Sequence, residues 1–281
     1  MTRSRLAWPF LAIVAALVVL PLGVAGWLAL TDYTGIRSAT FTGATNLRRL
    51  VADDAFWVTV RTSAALALVV VPLRLALAVG AALLLHRGGA GVSTGRVAVY
   101  LPSVVPDAAW ALLWLWILNP LYGPVSAVLH AVGVGDPGFL TTRTGAFLGL
   151  SLVLAFQIGE AFVVALAARA QVPRALYEVA AVEGVRPATV VRRITLPLMA
   201  PLIGLLALRD VILVVNVSFV PALLITGGEP LRATLVAPLA VYRRAFQYGE
   251  LGYASLLSLV LFGMTAAATA TLWAGVRALR R

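Results

Sequence analysis

Cysteine and lysine are both missing from these 281 residues. Without cysteine there is no disulfide, no thiolate metal site and no thiol nucleophile. Without lysine there is no Gly-x-x-x-x-Gly-Lys-Ser/Thr loop to cradle a nucleotide. His86 and His130 are the two histidines, and they lie too far apart in sequence to form a metal or catalytic constellation. Charge is scarce too. Charged residues make up 12% of the chain, about half the share usual in soluble domains. The convergent His/Asp/Glu or Ser/Lys chemistry of an intramembrane enzyme is not offered. Neither catalytic residues nor metal ligands are expected in the chain.

What is abundant is apolar. Hydrophobic residues account for 61%, and the mean hydropathy is +0.97. A soluble domain of this length buries a core but cannot hide so much apolar surface, so the chain needs lipid as a solvent. Six stretches are long enough to span a bilayer, which takes about 20 helical residues. They are Trp8–Leu30, Trp57–Leu85, Val97–Leu118, Ala146–Ala168, Leu198–Thr226 and Tyr253–Val276. Pro72, Pro106 and Pro221 fall inside or near them, which membrane helices tolerate. The first stretch is expected to be retained, because its apolar run exceeds the roughly 7–15 residues of a signal-peptide core. The reading is one all-α transmembrane domain over residues 1–281, without internal repeats.

The net charge is +11 and every basic residue is arginine. The arginines sit between apolar spans, which points to anionic lipid headgroups rather than nucleic acid. With the N-terminus inside, cytoplasmic segments hold twelve arginines and outer loops seven, while Arg61, Arg74 and Arg209 lie inside spans. This bias places both termini in the cytoplasm.

The segment between the fourth and fifth spans, residues 171–197, differs from the rest. Pro173 can open a helix that Ala, Leu and Glu favour. Gly184 can close it in a left-handed cap. Pro187 suits the first turn of a second helix, and Pro197 marks the entry to the fifth span. Small residues Ala180, Ala181 and Gly184 let a partner surface approach closely.

Glu178, Ala180, Gly184, Ile194, Leu196 and Pro197 resemble the cytoplasmic signature of ABC importer permeases, with Val179 in place of the first Ala of its Glu-Ala-Ala. The likeness extends along the chain. Ala29–Tyr33, Asn46, Asp54–Trp57, Tyr100–Pro102, Trp114–Gly123, Thr226–Pro230, Tyr242–Phe246 and Gly252–Ser255 look like the first-permease type of the carbohydrate branch, which includes the maltose and glycerol-phosphate systems. Glu229 departs from that pattern, where Gly is usual. The resemblance implies a type I importer fold with six transmembrane helices and a helix-turn-helix coupling loop at about 170–197. It implies an inner-membrane subunit that carries a sugar or related polyol by ATP-driven alternating access. It also implies partners: a second permease subunit, an ATPase dimer that binds ATP and Mg, and an extracytoplasmic solute-binding protein. No cofactor is expected in this chain itself.

Several polar residues within the spans are candidates for the substrate pathway. An ionisable group near the bilayer centre costs about 2.5–3.5 kcal/mol on insertion scales, so Glu160, Arg209 and Asp210 should face the bundle interior. At 1.5 Å per residue, Glu160 lies about 12 Å and Arg209 about 16 Å from the nearer span ends. Their similar depths predict that Glu160 and Arg209 face each other or a shared polar cavity, with Asp210 turned to another helix. Trp110 and Trp114 share a helix face that either stacks a sugar ring or packs in the core. Asn216 and Ser218 bond either sugar hydroxyls or a neighbouring helix. An ion-coupled secondary transporter, using Glu160 or Asp210 as its coupling acid, is the rival reading. It calls for inverted repeats or interrupted helices, and the sequence displays neither. A second alternative keeps the permease but changes its cargo, for example to a glycerol-phosphate ester. Gly-Gly-Glu-Pro at 227–230 predicts a tight, protruding turn.

Overall fold

The computed structural model describes residues 3–135 and 137–278. Among these residues the regular structure is helical, and the one β-type pairing is an isolated bridge between Thr31 and Phe41. Four helical runs cross the length needed for a bilayer without a sharp break: Trp8–Ala29, Asp54–Leu84, Pro187–Thr226 and Leu251–Gly275. Two further runs pass only as bent pairs. Gly91–Val104 meets Asp107–Ile117 at 103°, and Arg143–Ala155 meets Gly159–Ala170 at 51°. Each pair taken as one span makes six.

The bent pairs correct the expectation of uninterrupted helices. Pro106 is not absorbed by the third span but ends its first half. Proline has no N–H to donate, and its ring drives the preceding residue out of the helical region. Val105 accordingly has φ −71° and ψ 128°. The fourth span breaks at 156–158 without a proline. There Gly159 packs directly on the backbone of the other break, and its N–H donates to Ser103 Oγ at 2.7 Å. A Cβ on Gly159 would lie 2.6 Å from that oxygen and 3.0 Å from Tyr100 Cα. Only glycine allows this approach.

The fifth span starts earlier than its composition implies. Its helix runs back through Pro197 to Pro187, so Pro197 does not separate loop from span. The backbone widens into a π-turn over Val191–Thr195 just ahead of it, and the Leu196 N–H donates to the Val191 carbonyl five residues back. The same device, Ala15–Val19 with Leu20 donating to Ala15, precedes Pro21 in the first span. A π-turn makes room for the proline ring without ending the helix.

The chain divides into two compact units. One comprises Met1–Val60 and Ala237–Ala266, the other Arg61–Val236 and Ala267–Arg281. The second unit buries Ala78, Ala82, Ala161, Phe162, Ala165 and Met199 in one cluster and Trp110, Ala111, Trp114, Leu118 and Val153 in another. Alanines dominate the first cluster because small side chains let membrane helices pack closely.

In the first unit, buried Asn46 donates to the carbonyls of Ala29 (2.9 Å) and Thr31 (2.8 Å), tying helix Thr45–Ala52 to the end of helix Leu20–Ala29. Gly252 fits there because a Cβ would sit 2.2 Å from the Thr31 oxygen. An ion network closes the same unit. Asp53 accepts from Arg244 and from the Tyr253 hydroxyl, both at 2.8 Å. Glu250 binds Arg49 (2.7 Å) and Arg244 (3.0 Å).

Burial pushes the Asp53 carboxyl up. The Tyr253 hydroxyl, the Arg244 guanidinium and the Ala55 and Phe56 N–H groups outweigh it, so its pKa lies below the ordinary carboxylate value. A carboxylate held low stabilises the folded state fully above its unfolded pKa, about 3.9. That contribution is lost as pH falls through the lower folded value. Thermal midpoints in detergent should therefore drop below about pH 4, and Asp53→Asn should lower the neutral-pH midpoint and flatten the drop. An unchanged acid profile in Asp53→Asn excludes Asp53 as its source.

Candidate functional site

The polar centre of the second unit is built from three helical runs. Glu160 forms an ion pair with Arg209. Asp210, fully buried, binds Arg74 Nε through Oδ2 at 3.1 Å. Arg74 also donates to the Leu154 carbonyl at 2.6 Å. The expected Glu160–Arg209 pair and the turn of Asp210 to another helix are both present. Adjacent residues point about 100° apart on a helix. Arg209 nevertheless reaches back to Asp210 Oδ1 at 3.3 Å, so the four charges form one chain. Arg74 is the member that sequence reasoning passed over as merely an arginine inside a span. The cost of an unpaired guanidinium in lipid was the signal available to find it.

The broken fourth span changes why Glu160 is tolerated. It lies in the first turn of the half-helix Gly159–Ala170, beside the Arg209 guanidinium. Its side chain is 64% exposed. It lines a cavity of about 140 Å³ together with Arg74, Ser103, Asp107, Gln157 and Leu154. Asp107 heads the other second half-helix, Asp107–Ile117. Interrupted helices that bring their ends to a polar cavity are how membrane transporters expose backbone and charge without exposing either to lipid.

Other predicted pathway residues fall elsewhere. Trp110 and Trp114 are buried in the apolar core, with ring centroids 5.8 Å apart. The Trp110 indole donates to the Val153 carbonyl at 3.1 Å. Core packing, not an open stacking face, is their observed setting. Ser218 is buried and donates to Val215 O, whereas Asn216 is exposed and donates to Ile212 O. Both bonds stay within their own helix. Neither residue is among those lining the cavity, although Leu213, Val214 and Val217 of the same run are.

The 171–197 segment folds as helix, break and helix. Arg174–Val182 is helical, with Pro173 at its N-cap. Gly184 has φ +68°. Its N–H donates to Ala181 O (3.2 Å) and that of Val185 to Ala180 O (2.9 Å), the paired bonds of a Schellman cap. Pro187 starts the second helix. Tyr177 anchors the segment through a 2.9 Å bond with Thr195 and lies under the Arg169 guanidinium at 4.2 Å. Glu178, Ala181 and Gly184 are exposed, and Ala180 is buried within the chain. The small-residue surface open to a partner is therefore Ala181 and Gly184, without Ala180. Ile194 and Leu196 are half-buried and Pro197 is exposed. Val179 is 57% exposed.

Interrupted apolar helices around an ion network at a polar cavity define a helical membrane transport protein. The chain belongs to the binding-protein-dependent transport system inner membrane component family, whose model matches residues 74–277. It is 30% identical over 259 residues to the probable ABC transporter permease protein YesP of Bacillus subtilis (strain 168), spanning 90% of this chain and 83% of that protein. It is 29% identical over 259 residues to the trehalose/maltose transport system permease protein MalF of Thermococcus litoralis, spanning 90% and 86%. Its fold matches a chain in the crystal structure of a bacterial ABC transporter that imports the acidic polysaccharide alginate. There the TM-score is 0.82 at 20% identity, over 99% of this chain and 97% of that one. The chain is thus a multi-pass inner-membrane permease component of a binding-protein-dependent ABC importer. The interrupted helices called for by the ion-coupled rival are present, but family membership decides against that rival.

Proposed function

We propose that this chain forms half of the translocation pathway of an importer for a sugar or related polyol. It pairs with a second permease. A separate ATPase dimer supplies ATP-driven closure, and an extracytoplasmic solute-binding protein delivers the cargo. Both termini lie in the cytoplasm, which puts 171–197 on the ATPase side. The observation that carries the coupling role is the exposed, Schellman-capped helix Arg174–Val182 joined to the helical run Pro187–Thr226. That run also holds Arg209 and Asp210. A push at Gly184 therefore moves an element that carries the charged centre, which is rigid-body alternating access. The Ser103 and Gln157 side chains at the cavity suit hydroxyl-rich cargo, as do the relatives' names. Co-purification of the chain with its neighbours, followed by uptake into ATP-loaded proteoliposomes, tests the reading. Uptake that continues without ATP hydrolysis and stops when ion gradients are collapsed overturns it.

Residues 226–235 supply a docking prediction. Gly227, Gly228, Leu231 and Arg232 all have positive φ, between 52° and 88°. The Thr226 and Thr234 hydroxyls meet at 2.6 Å and close the loop. Leu231 at its tip is 75% exposed. Two non-glycine residues in the left-handed region cost about 1–3 kcal/mol each, which a presented surface justifies. Gly228 is buried, so photocrosslinkers belong at Glu229 and Leu231. Both should capture the solute-binding protein, most strongly with ATP bound. Capture of lipid alone from both positions removes the docking role.

A further inference from the structure

The cavity of the second unit carries an unbalanced charge. Arg74, Asp107 and Glu160 line it, and Arg209 and Asp210 complete the ion network. Both guanidiniums are already committed. Arg74 holds Asp210 and the Leu154 carbonyl, and Arg209 holds Glu160 and Asp210. Asp107 has no hydrogen-bond or ion-pair partner among the described residues and is exposed. Two arginines against three carboxylates leave one negative charge. Helix dipoles do not cancel it. Each break places the negative end of one half-helix, at Val104 or Ala155, beside the positive end of the next, at Asp107 or Gly159, and the partial charges offset each other.

We propose that Asp107 makes this half of the pathway selective against anions. The cargo it fits is an uncharged or amine-bearing polyol, not one with a carboxylate or phosphate. This rests on the cavity being part of the pathway. The Asp107 carboxylate accepts from a cargo hydroxyl or pairs with an ammonium. The Ser103 hydroxyl, which accepts from Gly159, keeps its own proton to donate, and the Gln157 amide both donates and accepts. An anion at the same place finds no free cation and meets a carboxylate in a partly enclosed site, where fields are stronger than in water.

The absence of native cysteine makes a direct test possible. Val217→Cys and, separately, Leu213→Cys place one thiol on the cavity wall. Each is treated, in the assembled importer in opened membranes, with a trimethylammonium-ethyl and a sulfonatoethyl methanethiosulfonate. The two rates are normalised to those of free mercaptoethanol. The cationic reagent should react faster than the anionic one by on the order of tenfold, and Asp107→Asn should bring the ratio most of the way to one. Equal or reversed rates overturn the proposal. So does a ratio that Asp107→Asn leaves unchanged, or a thiol at both positions that neither reagent reaches. The functional reading is tested apart from this. Its failure appears as missing ATP-dependent uptake with the thiol ratio intact, and failure of the charge proposal as equal rates with uptake intact.

Discussion

Asp210→Ala is expected to be the most damaging single change in the chain, at about 3–5 kcal/mol of folded-state stability. It leaves the Arg74 guanidinium, whose side chain is 9% exposed, in a helix bundle with only the Leu154 carbonyl as partner. Arg74→Met should cost less. Asp210 then keeps the Arg209 Nη1 contact at 3.3 Å. The double variant Arg74→Met/Asp210→Leu removes both charges together and should recover most of the loss, because a buried pair contributes little net stability once neither partner is stranded. Thermal unfolding of the purified assembly and its membrane yield measure the cycle. Additive losses would show that the two residues do not depend on each other. The Glu160–Arg209 pair lies nearer solvent, at 64% and 34% exposed. Glu160→Gln should therefore change stability by no more than about 1 kcal/mol, and its effect should appear in uptake instead.

Gly184→Leu should abolish uptake while membrane insertion and ATP hydrolysis by the partner subunits persist. Gly184 has φ +68° and open space around it, since a Cβ there meets nothing within 4 Å. The cost of the substitution within this chain is then limited to the left-handed backbone, about 1 kcal/mol. A larger loss must come from whatever docks on the exposed face. Gly184→Asn separates the two causes, because asparagine tolerates the left-handed region but still adds bulk. If the backbone alone matters, Gly184→Asn transports and Gly184→Leu does not. If a partner packs on the glycine, both fail. Normal substrate-stimulated ATPase activity and uptake in Gly184→Leu would remove the coupling role from this segment.

The helical class, the position of the 171–197 segment and its Schellman-type end were legible because they follow from local rules. Hydropathy over about 20 residues decides solvent, and Gly and Pro at fixed offsets decide caps. The Glu160–Arg209 pair was legible for a similar reason: depth in the membrane follows from counting residues. The breaks in the third and fourth spans were not legible. Pro72 lies inside the continuous helix Asp54–Leu84 and Pro106 ends one, though both read as proline within an apolar run. The difference is what surrounds them. At Pro106 the break is held from outside, by Ser103 receiving the Gly159 N–H.

Composition, arginine spacing and the signature from Glu178 to Pro197 by themselves determined a polytopic helical permease. These properties depend on solvent preference and on neighbours a few residues away, which the order of residues states directly. Only the tertiary structure decided that Arg74 serves Asp210, that Trp110 and Trp114 are core, and that Asp107 joins Glu160 at one cavity. Arg74 and Asp210 are 136 positions apart. Desolvation forces each buried charge to find a partner, but which partner depends on how the helices pack and where two of them break.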